Sequence, residues 1–149
     1  MRTNIIYNAN TKLPDELINA YFHAVFNVFF NGKLIALQIG QKSTDLLDIY
    51  RATKSDCFAF VTAFNPNGAL NSQEINLSMQ SRLMQAVSVM GYSFFEGFGC
   101  DINGEWPKED SIFIPKIDFY TACDIGNKFS QNAIVYGDSY AIPKLVILK

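Results

Sequence analysis

The segment from Asn65 to Asn76, NPNGALNSQEIN, places several side chains that could bind a polar ligand within a short stretch of chain. The amides of Asn65, Asn67 and Asn76 each offer hydrogen-bond donors and an acceptor, which suits a neutral polar molecule. Glu74 adds a carboxylate, which could supply charge to a ligand site or act as the general acid or base of an enzyme. This spacing predicts a pocket for a polar small molecule, with Glu74 as the catalytic candidate if there is a reaction.

The same residues have structural alternatives, which the sequence leaves open. Asn71 and Glu74 have the spacing of a capping box, in which each side chain bonds a backbone N–H at a helix start. Asn65 precedes a proline and Asn67 precedes a glycine, and both pairs are ordinary turn formers. Capping and turn formation would explain these residues without a ligand.

Residues further along the chain are predicted to contribute to the same pocket. Gln131 and Asn132 lie between a predicted helix and a predicted strand, where they could form the far wall of the pocket or act as capping groups. Trp106, in a predicted loop, could stack on a ligand or cover the core. The predicted ligand-binding set is therefore Asn65, Asn67, Asn76, Gln131 and Trp106.

Acidic residues cluster near a predicted loop, but their spacing favours no particular metal site. Asp101, Glu105, Glu109 and Asp110 could bind a divalent cation through oxygens, or could simply be solvated. The run lacks the ordered spacing of a calcium loop. The sequence also contains no nucleophile elbow, no supported Cys–His pairing and no paired-carboxylate motif. We therefore predict no metal and no cofactor, and whether the protein is an enzyme stays open.

Composition and charge exclude several function classes. The chain has 149 residues and a net charge of −2, so it lacks the basic face that nucleic-acid binding requires. No run of about 18 apolar residues predicts a membrane helix, and the first residues lack the apolar core of a secretory signal. Three cysteines without a close pair are typical of buried thiols in a reducing cytoplasm. We expect a cytoplasmic protein that binds neither nucleic acid nor membrane.

Turn signals and apolar periodicity divide the chain into helices and strands around the polar segment. The apolar strand Cys57 to Phe64 leads into it, and a helix with an apolar face from Ile75 to Met90 follows. Earlier in the chain, Asn31-Gly32 separates two apolar runs and predicts a β-hairpin. The predicted order is α-ββ-α-β-α-ββ-α-ββ. It indicates one α+β domain over residues 1–149, with a mainly antiparallel or mixed β-sheet and helices packed to one side.

Several motifs along the chain resemble those of a known bacterial family. The matching segments are FVTAFNP (Phe60 to Pro66), Glu74 and Asn76 in the following helix start, Trp106 with Glu109 to Ile112, and Phe129 to Ile134. The Asn-Pro and then Glu-x-Asn spacing is the most specific part of this match. On these residues the chain is similar to the bacterial family catalogued as domain of unknown function 3293. The resemblance implies a shared fold and no activity.

Two classes of function are compatible with these features. The first is binding of a polar small molecule at the end of the Cys57–Phe64 strand, where polar side chains converge beside a helix start. The alternative is a protein-interaction module, a small inhibitor or accessory factor, that binds a protein partner through exposed aromatic residues and the acidic loop. The 13 Phe and 7 Tyr favour contact surfaces of this kind, and self-association into a homo-oligomer is expected.

Overall fold

A computed structural model describes residues 3–8 and 10–149, which contain one sheet of eight strands. In chain order the strands are β1 (Ile5–Ile6), β2 (Val25–Phe30), β3 (Lys33–Leu37), β4 (Phe58–Thr62), β5 (Phe95–Cys100), β6 (Glu109–Pro115), β7 (Ala133–Gly137) and β8 (Lys144–Ile147). Across the sheet their order is β1-β8-β7-β4-β6-β5-β2-β3. β1 is parallel to β8, and each of the other described pairs is antiparallel. β4 therefore lies inside the sheet, between β6 and β7.

The described part of the chain has four α-helices, and local sequence signals fix where most of them begin. They are α1 (Asp15–His23), α2 (Thr44–Thr53), α3 (Gln73–Val89) and α4 (Phe119–Lys128). The side chains of Ser43, Ser72 and Asp118 accept hydrogen bonds from backbone N–H groups at the starts of α2, α3 and α4. These caps satisfy N–H groups that have no partner within the helix.

Helices cover both faces of the sheet, because its central strands are apolar on both sides. In β4, Phe58 and Phe60 pack on one face, the Phe60 face, and Ala59 and Val61 pack on the other, the Val61 face. α1 and α2 cover the Phe60 face, whereas α3 and α4 cover the Val61 face. The prediction of helices packed to one side is therefore wrong. Because the four consecutive residues Phe58 to Val61 of β4 are all apolar, both faces of the strand need apolar cover.

The predicted α+β class, the mixed sheet and the order of the predicted elements are confirmed. The Asn31-Gly32 hairpin has positive φ values of 51° and 77° at these two residues, as a type I′ turn requires. The described chain has one strand that the predicted order lacks. This strand is β1, whose two residues are too few to show an alternating pattern. None of the described helices has the length and apolar character needed to cross a membrane.

Candidate binding site

A pocket of about 170 Å³ lies on the Phe60 face, between α1 and the end of β4. A cavity of about 150 Å³ can hold one benzene molecule, so this pocket matches a molecule of about one ring. Most of its lining is apolar. Its polar and aromatic side chains include Tyr21, Asn65, Trp106, Glu109, Gln131 and Asn132.

Asn65 turns the chain out of the sheet after β4 and is held by a second asparagine. Its φ of 49° is positive, a conformation that asparagine adopts more readily than most residues. Asn76 Oδ1 accepts from the Asn65 backbone N–H, and Asn76 Nδ2 donates to Asn65 Oδ1, both at 2.9 Å. Asn65 Oδ1 also accepts from the backbone N–H of Asn71 at 2.9 Å. These bonds fix the orientation of the Asn65 amide and leave its Nδ2 to donate elsewhere.

Glu109, the first residue of β6, accepts from that amide. The distance from Asn65 Nδ2 to Glu109 Oε2 is 2.7 Å. Burial raises the pKa of the Glu109 carboxyl above its ordinary value, and the hydrogen bond from Asn65 offsets part of this rise. The pocket lining in the described chain contains no Lys, Arg or His, and neither of the two ion pairs among the described residues includes Glu109. Glu109 is therefore a partly buried acceptor without a counter-ion among the described residues.

Tyr21 and Trp106 form an aromatic wall of the pocket. Their ring centroids are 6.3 Å apart, with the ring planes inclined at 34°. Asn132 Nδ2 donates to the Tyr21 hydroxyl oxygen at 3.1 Å. Burial raises the pKa of Tyr21; the Asn132 hydrogen bond lowers it and the charge of Glu109 raises it further. Tyr21, Trp106 and Glu109 all line the same pocket.

Asn65, Gln131 and Trp106 lie together in the pocket lining, and their ligand binding stays a prediction. Gln131 is buried, and its Nε2 donates to the backbone oxygens of Phe64 at 3.1 Å and Phe129 at 3.2 Å. The side chain therefore ties the end of β4 to the segment before β7. It supports the pocket wall in addition to lining it.

Asn67, Glu74 and Asn76 lie outside the pocket lining. Asn67 is exposed; its backbone N–H donates to Ser130 O at 2.7 Å and its Oδ1 accepts from Lys149 Nζ. Glu74 is exposed in the first turn of α3, and Asn76 is buried against the loop after β4. Glu74 and Asn76 lie outside it because α3 packs on the Val61 face, whereas the pocket is on the Phe60 face. Asn76 can act on the pocket only through Asn65.

The capping-box alternative for Glu74 is wrong. Ser72 caps α3, since its Oγ accepts from the backbone N–H of Ile75 at 3.2 Å. The N3 position, which a capping box fills with Glu or Gln, is therefore occupied by Ile75. Asn71 lies before the helix and donates its backbone N–H to Asn65.

Glu109 and Tyr21 also line the pocket and are absent from the predicted ligand-binding set, whereas Asn132 lines it as the predicted far-wall alternative places it. The interpretation of Glu109 as part of an acidic loop misses its place in β6, where it alternates with Ser111 and Phe113 on the Phe60 face. That alternation is the signal that could have identified it. Tyr21 and Asn132 come from distant parts of the chain, and only the packing of α1 on the sheet brings them together.

The acidic residues around this loop do not form a metal centre. Asp101 shapes the loop, because its Oδ2 accepts from the backbone N–H of Glu105 at 2.7 Å. Asp110 lies in β6, and its backbone oxygen accepts from Thr62 Oγ1 at 2.6 Å. Within residues 3–8 and 10–149, no group of three or more His, Cys, Asp or Glu side chains could hold a metal ion.

Comparison with known proteins gives one match. Residues 61–134 match the family model described as "Protein of unknown function (DUF3293)". The matched segment includes the end of β4, α3, the β5–β6 loop and Gln131. No curated protein and no solved structure matches the chain.

Replacing Asn76 by alanine is expected to lower the free energy of unfolding by about 1–3 kcal/mol, because the backbone N–H of Asn65 loses its acceptor in a buried environment. Chemical denaturation of the Asn76→Ala variant measures this change. Ser78→Ala, an exposed substitution on the same helix, is the matched control and should change stability by less than about 0.5 kcal/mol. Equal losses in the two variants would contradict the structural role of the amide pair.

Glu109→Gln is expected to raise the free energy of unfolding near neutral pH. The folded-state pKa of Glu109 lies above its ordinary value of 4.5, so the folded protein binds the proton more tightly than the unfolded chain does. The contribution of this group to stability is therefore fully present below pH 4.5 and is lost as the pH rises through the raised pKa. Because glutamine has no carboxyl group to ionise, the Glu109→Gln variant does not lose this stability as the pH rises.

Urea denaturation of the wild type and the Glu109→Gln variant over a series of pH values measures this effect. The stability difference should shrink as the pH falls. Glu105→Gln, which changes an exposed carboxylate in the loop preceding β6, is the control. The difference in unfolding free energy between this variant and the wild type should stay the same across the pH series. A Glu109→Gln variant that is less stable than the wild type near neutral pH would show that ionised Glu109 stabilises the fold.

Proposed function

Because the chain belongs, through residues 61–134, to a family described as being of unknown function (DUF3293), the site itself has to indicate the function, and we propose that the protein binds a small molecule. The ligand occupies the pocket on the Phe60 face and has an apolar body of about one ring with a polar end. The observation that carries this proposal is Glu109, a partly buried carboxylate acceptor that has no counter-ion among the described residues and lies in a mostly apolar cavity.

The composition of the pocket supports this proposal. Ligand sites are typically concave and apolar, with a few polar groups held in fixed positions. Here the apolar walls contain Phe26 and Phe60, whose centroids are 5.4 Å apart in an edge-to-face arrangement. Glu109 is the fixed polar group, since Asn65 holds it and Asn76 holds Asn65. A ligand can thus be oriented by one carboxylate and enclosed by rings.

The proposal is for binding, because one carboxylate does not define a reaction. If turnover occurs, Glu109 and not Glu74 is the carboxyl group placed to act as general acid or base, since it lines the cavity and its pKa is raised by burial. We propose the cytoplasm as the location. The three cysteines are unpaired, which suits a reducing compartment.

Titration with benzyl alcohol, a neutral one-ring probe with a hydroxyl group, tests the pocket. Trp106 is the one tryptophan of the chain and lines the cavity, so binding is expected to change its fluorescence saturably. Gly99→Leu adds a side chain from the cavity wall, where a Cβ meets nothing closer than the Phe26 ring at 3.7 Å, and should abolish the change. Ala36→Leu adds the same bulk at an exposed strand position and should leave the change intact.

Saturable quenching that persists in the Gly99→Leu variant would place the probe outside the pocket. Absence of any saturable signal in the wild type would count against the proposed function itself. Far-ultraviolet circular dichroism of each variant checks that the fold is retained.

A protein partner is the second candidate, and the outward surface of the β2–β3 hairpin favours it. Phe29 and Leu34 are cross-strand neighbours, and each is 53% exposed. The Phe98 ring, 5.8 Å from the Phe29 ring between centroids, extends this surface. β3 is the edge strand of the sheet, so its outer backbone groups are free to pair with another chain. We propose a second copy of this chain as the partner.

Sedimentation equilibrium tests this second candidate. The wild type should show a concentration-dependent mass above that of one chain, and the double variant Phe29→Ser, Leu34→Ser should sediment as a monomer. Ala36→Ser, on the same exposed surface of β3, should behave like the wild type. A wild-type protein that stays monomeric at all concentrations would remove self-association as a function of this surface.

A further inference from the structure

We propose that the pocket selects small organic cations, an ammonium or amidinium group carried on an apolar body of about one ring. This inference rests on the proposed function and adds the chemical class of the ligand. Three features carry it: the single charge in the cavity, the hydrogen-bonding pattern around that charge, and the aromatic walls.

The charge of the cavity is uncompensated. Among the described residues that line the cavity, Glu109 is the one with a carboxylate, and none has a basic side chain. Its neighbour in sequence, Lys108, places its Nζ 4.7 Å from the centroid of the Phe98 ring. A partly buried carboxylate such as Glu109 gains more from a cation inside the apolar cavity than from one in water, because the cavity screens the charges less. A bound ammonium group would supply the counter-ion that the protein lacks at this point.

The hydrogen bonds around Glu109 leave it as an acceptor. Asn65 Nδ2 donates to Oε2 at 2.7 Å, and no hydrogen bond to Oε1 is formed by the described residues. The amide of Asn65 cannot reverse, because its Oδ1 is fixed by the backbone of Asn71 and by Asn76 Nδ2. A ligand that reaches Glu109 must therefore donate to the free oxygen. Carboxylates and other anions would be repelled, whereas N–H groups that carry positive charge make the stronger hydrogen bond.

The aromatic walls of the pocket also favour organic cations as ligands. The faces of Trp and Tyr rings attract ammonium and guanidinium-like cations, and the attraction increases when water is excluded. Trp106 and Tyr21 line the same cavity as Glu109. An ammonium group in the cavity would therefore have an opposite charge and aromatic rings among its surroundings. A neutral alcohol of the same size would have only the hydrogen bond.

A series of three probes that share one ring and differ in charge tests the inference. Benzylammonium, benzyl alcohol and benzoate are titrated against the wild-type protein, with Trp106 fluorescence and isothermal calorimetry as readouts. Benzylammonium should bind at least about tenfold more tightly than benzyl alcohol, and benzoate should not bind measurably. In the E109Q variant the preference for benzylammonium should disappear, so that the affinities of benzylammonium and benzyl alcohol lie within about threefold of each other.

The outcomes separate this inference from the proposed function. If benzyl alcohol binds in the pocket as tightly as benzylammonium, or if benzoate binds best, the cation inference is wrong and the pocket remains. Retention of the full benzylammonium preference in E109Q would also overturn it, because the selectivity would then lie elsewhere. Failure of all three probes to bind the wild type would overturn both the cation inference and the proposed function.

Discussion

The burial of β4 on both faces is the constraint on which the rest of the structure depends. Its side chains alternate between two apolar clusters, and neither cluster can be left in contact with water. The helices are consequently divided, with α1 and α2 on the Phe60 face and α3 and α4 on the Val61 face. The chain after β4 has to pass from the sheet to the Val61 face, and Asn65 makes this turn in a left-handed conformation.

The turn at Asn65 also connects the helix on one face with the pocket on the other. Asn76, on α3, holds the backbone and side chain of Asn65, and the remaining amide protons of Asn65 hold Glu109. Asn76, on the helix that packs on the Val61 face, positions Asn65, whereas Asn65 and Glu109 line the pocket on the Phe60 face. A residue of the polar segment can be important for the pocket without touching anything inside it.

Much of the fold could be predicted from the sequence because its signals are local. The Asn31-Gly32 turn, the apolar strand before Asn65 and the periodic face of α3 each lie within a short segment, and their order along the chain follows directly. The distribution of helices could also have been inferred, since the four consecutive residues Phe58 to Val61 of β4 are all apolar and so give the strand two apolar faces. The two-residue strand β1 could not, because its pairing with β8 is a contact between distant segments.

The site was less predictable, for a related reason. Asn65, Gln131 and Trp106 stand out as polar or aromatic residues near turns, and the structure brings them together. Glu74 stands out equally well but lies on a helix that packs on the other face. Glu109 reaches the cavity only because β6 pairs with β4, and Tyr21 only because α1 packs on the sheet. Contacts of this kind depend on tertiary packing, which no motif of single residues encodes.

The distribution of the pocket walls along the chain has a thermodynamic consequence. The lining runs from Leu17 in α1 to Leu145 in β8, and it includes side chains from β4, β6 and β7. A molecule in the cavity would therefore contact segments that are assembled only in the native state. Its binding free energy would be coupled to global unfolding and would raise the unfolding temperature with ligand concentration. Occupancy of the cavity would in this way help to determine how much of the protein is folded at a given temperature.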